Sequence, residues 1–192
     1  MLRGRVWKFG DNINTDLMVP GSVLRKDAAV AGMPLSLTKP LGLGVLASRH
    51  KATGEVFPQA VATMTALNRE ASRAAVAAGL QAATDVTGFG LLGHLFTMLR
   101  SSGVGARVHA AAVPMLDGAR EAVRDGYVSG GTRRTLEWVR PHLTVGPGVS
   151  EEDLVLLADA QTSGGLLVVG EVPGGVVVGE TVAGAPRVEV RG

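Results

Sequence analysis

From Pro58 to Gly79 the apolar positions Val61, Met64, Leu67, Ala71 and Ala75 recur every three or four residues, which places them on one face of a helix. Pro58 suits the first turn of that helix and Gly79 its stop. Leu91 to Leu99 carries a second helical stripe, and Met115 to Val123 and Thr132 to Val139 carry two more, with Trp138 expected on the buried side. Glu151-Glu-Asp153 opens a short helix over Leu154 to Ala158 with negative charge opposite the helix dipole. Strand patterns fall at Pro34 to Lys39, Ala82 to Val86, Arg107 to Val113, Leu166 to Val169, Val176 to Val178 and Arg187 to Val190. Gly44 to Ala47 reads as extended chain after the Pro40-Leu-Gly turn. Leu2 to Trp7 reads as a short strand, followed by an Asx-rich loop over residues 10–16. The alternation of the two periods predicts an α/β fold.

Composition narrows the class. The chain has 192 residues and is 46% hydrophobic, enough for a packed core. Nineteen basic against 17 acidic residues give a formal charge of +2, and no stretch concentrates Lys and Arg, so no nucleic-acid partner is expected. With no cysteine there is no disulfide framework, thiolate metal site or thiol nucleophile. No uninterrupted apolar run of about eighteen residues occurs and the start lacks a signal-peptide core, so no membrane partner and a cytoplasmic location are expected.

The chemistry concentrates in Gln81 to Leu95, where Asp85 precedes a tight turn, Thr87-Gly-Phe-Gly90, and an apolar helix follows. This is the pattern of a ligand or metal corner. Gly88, Gly90 and Gly93 also satisfy G-x-G-x-x-G, but no acid ends the strand-like run Gly105 to Pro114, where a dinucleotide fold would need one. A Rossmann assignment is therefore rejected. Asp85 is the candidate ligand of that corner; its structural alternative is a cap on the turn or helix. Ser129-Gly130-Gly131-Thr132 and Thr162-Ser-Gly-Gly165 either present backbone amides to an anion or form tight turns before a helix or strand. His50, His94, His109 and His142 show no close metal-ligand spacing. His94, four residues after Gly90, reads as a core or cap histidine.

Five motifs in order, Leu37-Thr-Lys-Pro-Leu-Gly-Leu-Gly-Val-Leu46, Met64-Thr-Ala-Leu-Asn68, the Asp85 segment, Ser129-Gly-Gly-Thr132 and Asp159-Ala-Gln-Thr-Ser-Gly-Gly-Leu-Leu167, resemble the carboxy-terminal half of the selenophosphate synthase (selenide, water dikinase) family. That family lies within the wider aminoimidazole-ribonucleotide-synthase-like group. The resemblance covers residues 32–192 and implies a layered α/β sandwich of partly ferredoxin-like topology. It implies metal binding at Asp85 and nucleotide contacts at Gly88, Gly90, Gly130, Gly131 and Thr132. Mg²⁺ and ATP are expected only if an amino-terminal domain, possible as a partner in trans, completes the site. The family's catalytic Lys beside Cys or selenocysteine has no counterpart in these 192 residues, so no catalytic residue is assigned and the chain alone is expected to be inactive. Ala160 stands where the family has Pro, and Leu43 where it has Thr.

A separate likeness opens the chain. Gly4 to Gly21 resembles the start of the small subunit of 3-isopropylmalate dehydratase, so residues 1–31 read as an appended, loosely attached arm. Its family's Gly-Ser-Ser-Arg-Glu stretch is absent from the sequence. Glu171-Val-Pro-Gly-Gly175 replaces a helix that relatives place between two core strands. So short a loop is expected to join antiparallel neighbours and to leave an apolar sheet face uncovered. Three functions compete: a half-enzyme of selenophosphate synthesis, a non-catalytic interaction module or remnant, and a hydro-lyase small subunit.

Overall fold

The computed structural model describes residues 24–192. The expected arm strand, its loop and the dehydratase-like residues 4–21 lie outside the described residues.

Seven strands, β1 (Pro34–Leu37), β2 (Ala83–Asp85), β3 (Gly105–His109), β4 (Leu143–Val145), β5 (Leu166–Val169), β6 (Val176–Val182) and β7 (Val188–Arg191), form one sheet in the order β2-β5-β1-β6-β3-β7-β4. Pairing is antiparallel from β2 to β3 and parallel for β3–β7 and β7–β4. Helices α1 (Leu43–Thr53), α2 (Pro58–Thr65), α3 (Arg69–Ala77), α4 (Gly90–Ser102), α5 (Ala119–Arg124), α6 (Gly130–Val139) and α7 (Glu151–Leu157) complete the mixed α/β architecture.

Burial follows the strand period. In β5, Leu167 and Val169 join the main core while Leu166 and Val168 pack with Ala75 of α3 on the opposite face. All four are buried because this strand is covered on both sides. Helix α4 buries Leu91, Leu92, Leu95, Phe96, Met98 and Leu99 against the main core, a stripe wide enough to sit under both the sheet and neighbouring helices. A further cluster ties Leu43, Val45 and Leu46 of α1 to Ala60, Ala119 and Leu156. Helix α7 starts with a capping box in which Ser150 and Asp153 satisfy each other's backbone N–H groups.

Residues 24–29 pack onto the sheet. Leu24 and Ala29 are buried, and Arg25 bridges Ala82 as a parallel partner, its N–H donating to the Gln81 carbonyl at 2.6 Å. This short pairing covers the outer edge of β2.

Several sequence expectations are corrected. Gly44 to Ala47 is not extended but lies in the first turns of α1. The single helix expected over Pro58 to Gly79 is two, because Lys39 Nζ takes the Ala66 carbonyl and the Asn68 side chain donates to the Gly164 carbonyl, pulling the link inward. Trp138 is 41% exposed rather than buried. The strand expected over Arg107 to Val113 ends at His109, with a 3₁₀ turn over Ala110–Ala112, and the helix expected over Met115 to Val123 is α5. β4 was not anticipated.

The loop over residues 171–175 is also corrected. β1 lies between β5 and β6 and is antiparallel to both, so β5 and β6 run the same way. The loop therefore crosses over β1: Ser36 Oγ donates to the Gly170 carbonyl at 2.7 Å, and a Cβ on Gly175 would lie 3.2 Å from that of Ser36. It can be short because Leu37 pairs with both Leu167 and Val176, so the chain returns by only about 7 Å along the strand. The sheet face left open beyond it is polar rather than apolar. Arg107 bonds Glu180 and Glu189 on the two flanking strands, and Val177, the partner of Ser36, is the exposed apolar exception on β6.

Candidate functional site at the end of the sheet

β2 ends on Asp85, the register partner of Leu166 in β5. The chain then turns sharply and is pinned at each step. Val86 N–H donates to the Gly165 carbonyl, and Gln161 N–H and Gly90 N–H both donate to the Thr87 carbonyl, all at 2.9 Å. Gly90 has φ +59, and a Cβ there would sit 2.5 Å from the Ala158 carbonyl carbon. Glycine is needed at this position for both conformation and space. Gly93 serves helix packing, since a Cβ there would lie 2.6 Å from that of Phe89 and 3.2 Å from Thr135 of α6.

The Asp85 carboxylate is held at the mouth of this turn. Its side chain is 15% exposed, with Lys26 Nζ 3.8 Å from Oδ1, beyond hydrogen-bond range. His94 lies behind it. Its Nε2 accepts the Phe89 N–H at 3.4 Å and lies 3.1 Å from Thr87 Oγ1, so that ring nitrogen is unprotonated and helps cap α4. Burial pushes the His94 pKa down, partly opposed by the negative charge of Asp85.

Asp159 is an acid of the opposite kind. It is 0% exposed. Its Oδ2 accepts Gly44 N–H at 2.9 Å, Val45 N–H at 3.3 Å and Gln161 Nε2 at 2.9 Å, while Oδ1 accepts the Thr132 hydroxyl at 3.1 Å. Gln161 Oε1 accepts Leu43 N–H at 3.2 Å. The N-cap of α1 is Gly42, which has no side chain to offer, so the free N–H groups of its first turn are satisfied by residues more than a hundred positions away. Burial raises the Asp159 pKa to about 6 against the pull of these donors.

The residues expected to bind a cofactor separate into two groups. Gly88 and Gly131 come together, lining a cavity of about 320 Å³ with Phe89, Arg134, Thr135 and Trp138. Gly130 lies beside them, a Cβ there falling 3.2 Å from Arg134 Nη1. Phe89 is 56% exposed, and its ring centroid is 5.9 Å from that of Trp138. Gly90 and Thr132 instead serve interior packing. Thr132 is fully buried, and its hydroxyl is engaged by Asp159, Ser129 and the Ala160 N–H.

Among the described residues no group of three or more His, Cys, Asp or Glu side chains is placed to hold a metal ion. Asp85 fits one position of an octahedral Mg²⁺ shell, and these residues alone do not fit the rest. Sequence reasoning left Lys39 unassigned. It is only 9% exposed, and its signal was a lysine following the buried run Leu35-Ser-Leu37 by two residues.

The α/β domain thus presents one acid at a strand end, beside glycine turns and an exposed aromatic pair. The chain belongs to the family described as AIR synthase related protein, C-terminal domain, whose model matches residues 30–190. It is 39% identical over 189 residues to "Selenide, water dikinase" of Burkholderia pseudomallei (strain K96243), covering 89% of this chain and 53% of that protein. It is 44% identical over 154 residues to the protein of the same name from Bordetella bronchiseptica (strain ATCC BAA-588 / NCTC 13252 / RB50), covering 78% and 44%. The chain thus spans about half the length of these curated relatives. Among solved structures, E. coli HypE, a hydrogenase maturation protein, superposes with a TM-score of 0.57 at 14% identity, covering 88% of this chain and 49% of that one. Thiamine monophosphate kinase from Aquifex aeolicus gives 0.53 at 15% identity, covering 87% and 52%. At such identities these two show a shared fold. No helix among the described residues is long and apolar enough to cross a membrane.

Proposed function

We propose that this chain acts as the carboxy-terminal half of a selenophosphate synthase, contributing to the conversion of ATP, selenide and water to selenophosphate, AMP and phosphate. The observation that carries this reading is Asp85, held at a strand end by a turn pinned at three backbone bonds, with a carboxylate whose cation contact among the described residues is Lys26 Nζ at 3.8 Å, beyond hydrogen-bond range. The name of the relatives, selenide, water dikinase, supports this reading. Asp85 would hold Mg²⁺ through its carboxylate, and the ion would supply positive charge to the ATP phosphates; the remaining ligands would come from an amino-terminal half. Gly88, Gly130 and Gly131 line the approach, while Gly90 and Thr132 keep the turn and α6 in place. The protein works in the cytoplasm.

The test is phosphorus NMR of ATP, selenide and Mg²⁺ with the purified chain, with and without a separately expressed amino-terminal half of a selenophosphate synthase. Selenophosphate is expected only in the mixture. Asp85→Asn should lower its rate by roughly tenfold or more, as loss of a charged ligand does. A second readout needs no turnover: Mn²⁺ with ATP should broaden the amide signals of Gly88 and Phe89 in the mixture, and Asp85→Asn should abolish that broadening. Product formation by the chain alone, or a mixture indifferent to Asp85→Asn, contradicts the proposal.

A further inference from the structure

Lys39 follows β1 and lies in a row with the neighbouring strand ends. Thr38 N–H donates to the Leu166 carbonyl and Val86 N–H to the Gly165 carbonyl, so Lys39, Gly165 and Val86 lie side by side, one residue from Asp85. The Lys39 ammonium donates to the carbonyls of Ala66 at 2.7 Å and Ser163 at 2.8 Å. Among the described residues no carboxylate pairs with it. Two neutral carbonyls use two of its three donors and leave the charge uncompensated, an arrangement normally avoided when a lysine is buried. Burial pushes its pKa below the usual lysine value.

The turn it touches is unusual in the same sense. Ser163 has φ +52, the only non-glycine residue with positive φ among the described residues. Such backbone strain is concentrated at functional sites. The next two residues, Gly164 and Gly165, are buried and crowded: a Cβ on Gly165 would lie 2.6 Å from Lys39 N, and one on Gly164 would collide with the Val86 carbonyl oxygen. Within the described residues neither Gly164 N–H nor Gly165 N–H has an acceptor, whereas buried backbone donors are nearly always paired.

From these observations we propose that Lys39 and the Ser163–Gly165 turn form a binding site for a small oxyanion of the phosphate class, separate from the carboxylate of Asp85. The oxyanion supplies the negative charge that Lys39 lacks and the acceptor that the two glycine amides lack. The turn is rigid because its neighbours leave no room for side chains, and the ammonium is oriented by the Ala66 and Ser163 carbonyls. The site deepens the half-enzyme reading by placing a phosphate-binding element on this chain, yet it requires only the folded chain to bind.

The experiment is a titration of the isotope-labelled chain with inorganic phosphate, followed by amide NMR, with chloride at matched ionic strength as the control. The expected result is a saturable shift of the Ser163, Gly164 and Gly165 amides with phosphate and not with chloride. Lys39→Met should weaken the phosphate affinity by roughly tenfold or more, the scale of a lost charge-assisted hydrogen bond. Lys39→Arg, which keeps the charge if the Met variant does not fold, should still bind within several-fold of the parent. Absence of a saturable shift in the parent chain overturns the site, and so does a folded Lys39→Met variant with unchanged affinity. Because no amino-terminal half and no selenide are present, failure here is distinct from failure of the half-enzyme proposal.

Discussion

Asp85 and Asp159 are both acids placed just before a glycine turn, yet the fold treats them in opposite ways. Asp159 is sealed in the interior with four donors around it, and its pKa is raised to about 6 by burial. Asp85 stands at the mouth of its turn with one cation 3.8 Å away. The first acid joins α1, α6 and the Thr87–Gly90 turn; the second is what that joined framework presents outward. An aspartate beside glycines is therefore a scaffold element or a ligand depending on how many donors the folded chain brings to it.

The comparison breaks most visibly at Asp159. Asp159→Ala leaves the Gly44, Val45, Gln161 and Thr132 donors without their acceptor and should lower folding stability by about 3–5 kcal/mol in denaturant unfolding. Asp159→Asn should be far milder: its carbonyl can accept the three N–H donors, and its amide can donate to the Thr132 hydroxyl.

The pH dependence follows with a defined sign. The folded-state pKa of Asp159, about 6, lies above the ordinary aspartate value of 3.8, so the folded protein holds its proton more tightly than the unfolded chain does. Stability from this group is fully present below about pH 4 and is lost as pH rises through 6, by on the order of 3 kcal/mol at most. Thermal unfolding across that window should show the slope in the parent and its loss in Asp159→Asn.

Next in size is Gly90→Ala, which meets both a left-handed φ and a Cβ 2.5 Å from Ala158 backbone. A loss of about 2 kcal/mol or more is expected in the same unfolding assay. The smallest effect belongs to Asp85→Asn, which should change folding stability by less than about 1 kcal/mol, as its only ion contact among the described residues is long and partly exposed. A large destabilisation there would place Asp85 in the scaffold and erase the contrast.

The periodic segments were legible in the sequence because their burial is local and regular: the stripe from Leu91 to Leu99 became α4, and Leu166 to Val169 became β5. α1 was not legible. Its start, Gly42-Leu-Gly-Val, has no local cap, and the groups that satisfy it, Asp159 and Gln161, arrive from the far end of the chain. The break between α2 and α3 escaped notice for the same reason, since Lys39 and Gly164 anchor it from outside the helix. β4 is only three residues long and pairs with a strand more than forty residues away.

At the site, Asp85 and the glycine turns stood out by residue type. What could not be read was which of them would face inward. Thr132 and Gly90 looked like ligands beside Gly131 and Gly88, and only the packing of Asp159 and Ala158 against them separates the pairs. Lys39 was hidden because a lysine at a strand end ordinarily reaches solvent, while here two carbonyls hold it in.

The most direct measurement compares Asp85→Asn with Asp159→Asn in the mixture with an amino-terminal half, following selenide-dependent AMP release and unfolding on the same preparations. The account predicts that Asp85→Asn folds like the parent and loses activity, while Asp159→Asn keeps activity near the parent's and loses the pH slope of its stability. Parent-like activity in Asp85→Asn would contradict it.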